Sequence, residues 1–400
     1  MTGLRTPLAI GVGLLALVVA LVFGLRAGFD TGSSAASPSG APSPSSDELE
    51  GASFDPAGWR TDFSNHSVPL DQFLSGGPPR DGIPPIDEPR FVPVGGEDVD
   101  DREPVVAVEI GGQARAYPLQ ILTWHEIVND DFAGRKIAVT FCPLCYTAVA
   151  FDREVDGREL TFGTTGNLRF SDLVMWDRQT ESWWQQFSGE GVVGELTGAT
   201  LEQVPAQLIS MGEFKDRFPD GEQLSRDTGH DRPYGQNPYA GYDDVDQPPF
   251  AFSGKPLDGR LAPKARVLTV EGGPEFVAIP FEVLRGDPVV NERVGPVPIV
   301  AWWRAGTNSA LNEGSIADSA DVGSAIVFDR RVDGRALTFE AAGAEMIRDR
   351  ETGTTWDAGG RGVEGPLADR RLTAVAHDAP FWFAVGAFRP DVRVVESPSE

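Results

Sequence analysis

The stretch FDREVDGRELTF, residues 151–162, occurs a second time in the chain as FDRRVDGRALTF, residues 328–339. Ten of the twelve positions are identical, and in both places apolar residues lie on either side of an Asp-Gly pair. Asp-Gly is typical of the type I′ turn that joins two antiparallel strands. The stretch therefore predicts a β-hairpin that occurs twice. With 46 Gly and 32 Pro separating short apolar runs, it also predicts a mainly β fold.

The similarity extends outward from both hairpins. Upstream, VVAVEIGGQARAYPLQIL (105–122) corresponds to RVLTVEGGPEFVAIPFEVL (266–284). Similar segments in the same order are the signature of an internal repeat. We predict two diverged repeats, copy one at 104–255 and copy two at 256–395. Each is expected to form a β-barrel or β-sandwich-like unit with few short helices.

The two copies differ where a chemical site could be. Copy one contains TWHE around His125 and FCPLC around Cys142 and Cys145, which are the only cysteines of the chain. The corresponding part of copy two, VAWWRAGTNSA (300–310), has neither Cys nor His. A framework present in both copies is expected to be structural, so residues present in one copy alone are candidates for function. The pattern indicates a site in copy one.

A metal centre is the first interpretation of the cysteine pair. Cys-Pro-x-Cys in a tight turn after a strand has the form of a zinc knuckle, in which two thiolates bind one ion. The chain has no second cysteine pair to complete a closed zinc site. The predicted ligands are therefore Cys142, Cys145 and His125, with Glu126 and His66 as further candidates. The predicted metal is zinc or copper.

Thiol–disulfide exchange and a structural disulfide are the two alternatives. An exported C-x-x-C pair can exchange disulfides, although the strand expected after Cys145 provides no helix N-terminus to lower a thiol pKa. A disulfide across so short a loop adds little stability. With a merely structural disulfide, a carbohydrate-binding or envelope adhesion module is the alternative, favoured by the loop PYGQNPYAGY and by Trp124, Trp176, Trp183 and Trp184.

Two further polar residues are candidates for a catalytic or binding role. Asp172 has no clear counterpart in copy two, and a carboxylate can act as a general acid or base. Arg169 is placed to meet an anionic ligand if its loop folds over the cysteines. The Asp-Arg pair at 177–178, by contrast, recurs at 349–350 and predicts a structural ion pair. Whether the protein is an enzyme stays open, because no substrate is indicated.

The N-terminus carries a membrane or export signal. Residues 7–25, PLAIGVGLLALVVALVFGL, contain no charge, and a helix of that length spans a hydrocarbon core of ~30 Å. Residues 1–30 are therefore predicted to be a membrane anchor or signal segment. Residues 31–52 are expected to be a disordered Ser/Pro/Gly/Ala spacer, and 53–103 an extension that packs on the core. The bulk of the chain is expected outside the cytoplasm, secreted if the segment is cleaved.

The charge of the chain restricts its partners. With 34 Lys and Arg against 60 Asp and Glu, the formal net charge is −26 at pH 7. Binding to nucleic acid needs clustered basic residues, so no nucleic-acid partner is predicted. The one partner that the sequence indicates is a membrane, through the N-terminal segment.

Five longer stretches complete the pattern. They are WRTDFSNHSVPLDQFLSGGPPRDGIPPIDEPRF (59–91), LQILTWHEIVND, VTFCPLCYTAVAFDR, NLRFSDLVMWDRQTESWWQQFSGEGVVG and RDTGHDRPYGQNPYAGY (226–242). Together they resemble an uncharacterised prokaryotic family, the domain of unknown function 3179, over residues 59–252. One departure is Tyr146, where the family pattern leads us to expect a smaller polar residue. The resemblance implies an exported or membrane-tethered protein and no activity, so function must be argued from the site.

Overall fold

The computed structural model describes residues 52–252 and 255–396. The predicted anchor or signal segment at 1–30 lies outside these residues, as does the spacer at 31–52 except for its last residue. Within the described ranges, no helix combines the length and the apolar character that crossing a membrane requires.

Short strands dominate copy one, as its Gly- and Pro-rich sequence predicts. Two strands of the N-terminal extension come first, and the elements follow in this order: β1 (Phe73–Ser75), β2 (Phe91–Pro93), β3 (Pro104–Ile110), β4 (Gln113–Pro118), α1 (Leu119–His125), β5 (Ile127–Phe132), β6 (Arg135–Cys142), β7 (Thr147–Asp152), β8 (Glu154–Val155), β9 (Arg158–Glu159), β10 (Phe162–Arg169), β11 (Asp172–Asp177), β12 (Trp183–Gln185), β13 (Glu190–Val193), β14 (Gln203–Val204), β15 (Ala206–Ser210), α2 (Met211–Arg217) and β16 (Glu222–Leu224). Because β1 pairs with β10 and β2 with β16, the extension packs on copy one.

Copy two contains the same kinds of element in the same order. They are β17 (Val267–Gly272), β18 (Glu275–Pro280), α3 (Phe281–Gly286), β19 (Val289–Val294), β20 (Val297–Arg304), β21 (Ser324–Asp329), β22 (Arg331–Val332), β23 (Arg335–Ala336), β24 (Phe339–Ala341), β25 (Ile347–Asp349), β26 (Thr355–Trp356), β27 (Gly362–Glu364), β28 (Thr373–Ala374), β29 (His377–Asp378), α4 (Trp382–Phe388) and β30 (Arg393–Val394). The α-helices of the described residues are six or seven residues long. The fold is mainly β with few short helices, as predicted.

The strands of both copies pair in the same order. The sheets of copy one run β14-β7-β6-β5, β15-β3-β4-β16-β2 and β1-β10-β11-β12-β13. Those of copy two run β28-β21-β20-β19, β29-β17-β18-β30 and β24-β25-β26-β27. Without the two strands of the extension, the three sheets of each copy are equivalent. None of the sheets in the described ranges closes into a barrel, so the barrel alternative is wrong.

The hairpin that reveals the repeat is formed as predicted. β8 pairs with β9 across Asp156 and Gly157, whose φ angles are 52° and 73°. β22 pairs with β23 across Asp333 and Gly334, at 50° and 79°. Positive φ at both central residues defines the type I′ turn. Asp and Gly are among the few residues that tolerate this conformation.

A buried contact between Asp and Trp also recurs, and it corrects one prediction. Trp184 Nε1 donates to Asp177 Oδ2 at 2.9 Å, and Trp356 Nε1 donates to Asp349 Oδ2 at 3.0 Å. Each carboxylate also accepts the backbone N–H three residues later at 2.6 Å. The predicted ion pair between adjacent Asp and Arg is wrong, because Arg178 pairs with two carboxylates of the N-terminal extension instead. These aspartates are structural because they satisfy buried indole groups.

One hydrophobic core contains the cysteines and reaches into both copies. It is built mainly from strands of copy one and includes Cys142 and Cys145. Copy two contributes Ala310 and Leu311 from the loop after β20 and Phe381 from the start of α4. The cysteines therefore lie in the interior where copy two covers copy one.

Candidate metal centre

The two cysteines lie on a tight turn between adjacent strands. β6 ends at Cys142 and β7 begins at Thr147, so residues 143–146 form the turn. Tyr146 has a φ of 58°, which is rare for a bulky side chain. Both cysteines are free thiols with exposed fractions of 1% and 0%. The turn is therefore held without a structural disulfide.

A hairpin that is longer in copy one brings Asp172 to the thiols. The segment from β10 to β11 spans residues 162–177, whereas its counterpart in copy two spans only 339–349. At the tip, Phe170 and Ser171 both have positive φ, at 52° and 67°. Neither residue is Gly, Asn or Asp, so the turn is strained. Strain of this kind clusters at functional sites, and here it places Asp172 at the start of β11.

Cys142, Cys145 and Asp172 form what we call the cysteine cluster. Their Sγ and carboxylate oxygen atoms lie within 4.8 Å of one another, and all three residues are buried. The Cys145 thiol donates to Asp172 Oδ1 at 2.8 Å, and the Cys142 thiol donates to the backbone oxygen of Ser171 at 3.8 Å. Three side chains that can ligate a metal therefore converge on one point.

Side-chain amides hold the cluster in place. Gln185 Nε2 and the backbone N–H of Phe187 donate to Asp172 Oδ2, the latter at 3.0 Å. Thr147 Oγ1 lies 3.0 Å from Cys145 Sγ and donates to Gln186 Oε1 at 2.5 Å. Gln185 and Gln186 are almost fully buried. These contacts fix the rotamers of the cluster, as supporting hydrogen bonds do around bound metals.

Glu126 is a buried carboxyl group near enough to the cluster to interact electrostatically with Asp172 and Cys142. It directly follows α1 with a φ of 59°, and its side chain is 6% exposed. No hydrogen bond or ion pair of the described residues reaches its carboxylate. In copy two the equivalent position is Pro288, which cannot adopt positive φ. Copy one thus maintains a strained backbone and a buried, unpaired carboxyl group that copy two lacks.

The site concentrates acidic groups whose pKa values are raised by burial. Burial raises the pKa of Glu126 to about 8, and the nearby charge of Asp172 adds to the effect. Burial raises the pKa of Asp172 to about 6, against the hydrogen bonds that it accepts. Burial also raises the pKa of the Cys142 and Cys145 thiols. No Arg, Lys or His of the described residues forms an ion pair with either carboxylate.

His125 does not belong to the cysteine cluster. Its Nδ1 lies 2.7 Å from the backbone oxygen of Pro84, and its Nε2 lies 2.7 Å from the Tyr234 hydroxyl. The carbonyl can only accept, so Nδ1 carries the proton and Nε2 accepts from Tyr234. Burial lowers the pKa of His125 to about 4, which keeps the ring neutral. Both ring nitrogens are engaged in hydrogen bonds away from the thiols. The third ligating side chain beside the cysteines is Asp172 and not His125.

The remaining predicted candidates separate into one near the cluster and one remote from it. His66 is exposed and bridges to Val193, so it does not share the buried space of the thiols. Arg169 is paired in register with Asp172 across the β10–β11 hairpin. The structure therefore brings Asp172 to the cysteines, with Arg169 opposite it in the hairpin, but it does not bring His66 there.

Copy two supports the turn of the cysteines from outside. The backbone N–H of Phe381 donates to the Cys145 carbonyl at 2.9 Å, and the N–H of Ala310 donates to the Tyr146 hydroxyl at 3.0 Å. The Arg266 guanidinium lies 4.2 Å from the centre of the Tyr146 ring. Tyr146, the departure from the expected small polar residue, therefore connects the turn to copy two.

The tryptophans that suggested a sugar-binding surface are buried. Trp124 and Trp176 are each 4% exposed, and Trp183 and Trp184 are 0% exposed. Trp183 packs against a group of aromatic rings of the N-terminal extension. Rings without an exposed face cannot stack on a sugar, so these residues act as core.

Sequence reasoning missed the two glutamines that orient the cluster. Gln185 and Gln186 follow the recurring Trp184, and the positions after Trp356 in copy two are Asp357 and Ala358. The difference between the copies was therefore visible in the sequence. Uncharged amides are not characteristic of any one chemistry, so the presence of Gln185 and Gln186 in copy one alone does not by itself indicate a site.

Comparison with known proteins identifies a family but no activity. Residues 80–392 match the family model described as "Protein of unknown function (DUF3179)". No curated protein matches the chain, and no solved structure matches it either. The match covers both copies, including the whole cysteine cluster.

Proposed function

The chain belongs to the DUF3179 family of proteins of unknown function, and we propose from its site that it binds a metal ion, preferentially zinc. The ligands are Cys142, Cys145 and Asp172, with Glu126 as the fourth group. The proposal is carried by the convergence of three ligand atoms within 4.8 Å in a buried space. When bound, the ion supplies positive charge and Lewis acidity to that space.

The electrostatics of the site support this proposal. Buried carboxyl groups and thiols are costly when ionised, and proteins normally pair such charges or bind a metal with them. Among the described residues neither Glu126 nor Asp172 forms an ion pair, and their pKa values are raised to about 8 and about 6. A bound divalent cation would lower both pKa values, because it favours the ionised forms of the carboxyl groups.

The donor set favours zinc over copper. Zinc accepts thiolates and carboxylates together, usually in a four-coordinate site. Cuprous ion prefers soft ligands such as thiolate and thioether. Two thiols beside two carboxyl groups are therefore a better match for zinc.

The proposed place of action is outside the cytoplasm, at a membrane. The uncharged segment at 7–25 supports this part of the proposal, together with the Ser- and Pro-rich spacer that follows it. A fusion of residues 1–52 to a reporter enzyme that is active only outside the cytoplasm would test it. Reporter activity is expected, and its absence would refute the assignment.

Metal analysis of purified protein tests the site. Protein prepared with a reducing agent, stripped with a chelator and incubated with excess zinc should retain one zinc per chain after desalting. Cys142→Ser and Asp172→Asn should abolish this retention, whereas His125→Gln should not. Retention by both site variants would refute the ligand set. Loss of zinc in His125→Gln alone would restore the set suggested by the sequence.

Thiol–disulfide exchange is the second candidate, favoured by one specific contact. Asp172 Oδ1 lies 2.8 Å from Cys145 Sγ and could take the proton of that thiol when it attacks a disulfide. Reactive thiols, however, are usually accessible and have a lowered pKa, and these two are buried with a raised pKa. Oxidation of the two thiols by glutathione disulfide within minutes, unaffected by bound zinc, would favour this candidate over the metal centre.

A further inference from the structure

Arg169 is a cation at the edge of the cysteine cluster that forms no ion pair with any of the described residues. Its Nε donates to Gln72 Oε1 at 2.8 Å, and its Nη1 donates to Gln185 Oε1 at 3.2 Å. Both acceptors are neutral amides. No carboxylate of the described residues lies within ion-pair distance, although the chain carries a net charge of −26.

Aromatic rings and a second cation surround Arg169. Its guanidinium carbon lies 4.6 Å from the ring centre of Phe170 and 5.4 Å from that of Phe388. Lys255 Nζ lies 5.1 Å from the same Phe170 ring and donates to the Ala387 carbonyl at 2.8 Å. Lys255 also lacks a carboxylate partner among the described residues. Two cations whose hydrogen-bond acceptors are neutral therefore lie against the same Phe170 ring.

Arg169 is connected to the cluster through a single side chain. The Gln185 amide accepts from Arg169 with its oxygen and donates to Asp172 Oδ2 with its nitrogen. The longer β10–β11 hairpin carries both Arg169 and Asp172, and its counterpart in copy two, β24–β25, is shorter. The features that complete the cysteine cluster thus also place a guanidinium beside it.

We propose that Arg169, assisted by Lys255, binds an oxyanion, the carboxylate or phosphate group of a small molecule that approaches the cysteine cluster. This inference rests on the proposed function for the role of the neighbouring metal, but the oxyanion site does not require the metal to be present. A guanidinium binds planar oxyanions through paired N–H donors, and an amine binds them as a point charge.

The burial of Arg169 supports this assignment. Arg169 is only partly exposed, and its side-chain hydrogen bonds go to the neutral amides of Gln72 and Gln185. Removing a guanidinium from water without a counter-ion is unfavourable. A bound oxyanion would supply the missing charge. The alternative is that stacking on Phe170 and Phe388 alone accounts for Arg169, in which case anions should not bind.

Calorimetric titration of metal-free protein with inorganic phosphate and, separately, with acetate tests the site. Ionic strength is held constant with chloride. We expect saturable binding of at least one of the two anions to the wild-type chain. Binding should weaken at least tenfold in Arg169→Gln and to a smaller extent in Arg169→Lys and Lys255→Gln. The matched control is Arg178→Gln, whose guanidinium already pairs with carboxylates, and it should bind as the wild type does.

The outcomes separate this inference from the metal proposal. Absence of saturable binding of both anions by the wild type, or equal binding by Arg169→Gln, would overturn the oxyanion site. Zinc retention by Arg169→Gln at the wild-type level shows that the variant is folded around an intact cluster. If the wild type retains no zinc but binds an anion that Arg169→Gln does not bind, the metal proposal fails and the oxyanion site stands.

Discussion

Replacing Glu126 with Gln should stabilise the metal-free protein at neutral pH while it weakens zinc binding. The pKa of Glu126 is raised by burial from 4.5 to about 8. Between those two values, the unfolded chain has released the proton that the folded chain still holds. The contribution of Glu126 to the free energy of unfolding is therefore largest below pH 4.5 and is lost as the pH rises toward 8.

The size of the effect follows from the linkage relation. Each pH unit in that window costs about 1.4 kcal/mol. At pH 7 the penalty from Glu126 alone is on the order of 3 kcal/mol. Glutamine has nearly the same shape and cannot ionise, so Glu126→Gln should remove most of this penalty. In the presence of zinc the wild type should be more stable than Glu126→Gln, because the variant lacks the fourth group of the proposed site.

Urea unfolding of the metal-free proteins between pH 5 and pH 8 is the appropriate assay. The free energy of unfolding should fall with pH more steeply in the wild type than in Glu126→Gln. The control is Glu103→Gln, which removes another buried carboxyl group whose pKa is raised to about 7, mainly by burial. That control should also flatten the pH dependence but leave zinc binding unchanged. A Glu126→Gln protein that is less stable than the wild type at pH 7, with an equally steep pH dependence, would refute the reasoning.

Three other outcomes are expected. Zinc affinity should rise between pH 6 and pH 8 in a competition titration, because the metal displaces protons from Asp172 and Glu126, whose pKa values are about 6 and about 8; a pH-independent affinity would contradict the ligand set. Asp349→Ala should cost about 2 kcal/mol in urea unfolding, because the indole N–H of Trp356 loses its acceptor. The Asp349→Ala protein should still retain one zinc per chain, and loss of zinc would contradict the purely structural role of Asp349 in copy two. Tyr146→Phe should cost about 1–2 kcal/mol, since it removes the acceptor of a buried backbone N–H of copy two; an unchanged unfolding midpoint would show that this contact does not contribute.

Some features of this protein follow from short-range sequence signals. The Asp-Gly hairpin is one, because its turn type depends on the two residues themselves, and both copies form it with positive φ at Asp156 and Asp333. The mainly β fold follows from the same kind of evidence. The similarity between copies also pointed to the Cys142–Cys145 turn as a feature of copy one alone, since that inference required only a comparison along the chain.

The proposed ligand set could not be predicted in this way. His125 precedes Glu126 directly, and the sequence cannot say which of two adjacent side chains faces the thiols. Glu126 has a positive φ and a buried carboxyl group near Asp172, while the His125 ring is held by Tyr234, more than a hundred residues away. Histidine is a common zinc ligand beside cysteine, so the sequence pattern indicated His125 as the third ligand.

The sequence by itself therefore determined the hairpins, the repeated segments and the position of the cysteines within copy one, because these depend on neighbouring residues or on direct comparison of the copies. Only the tertiary structure decided that Asp172 joins the cysteines and that His125 does not. The approach of Asp172 depends on the length and strain of the β10–β11 hairpin and on the packing of copy two against the cysteine turn. Such contacts join residues that are distant in the chain, and no local pattern of residues encodes them.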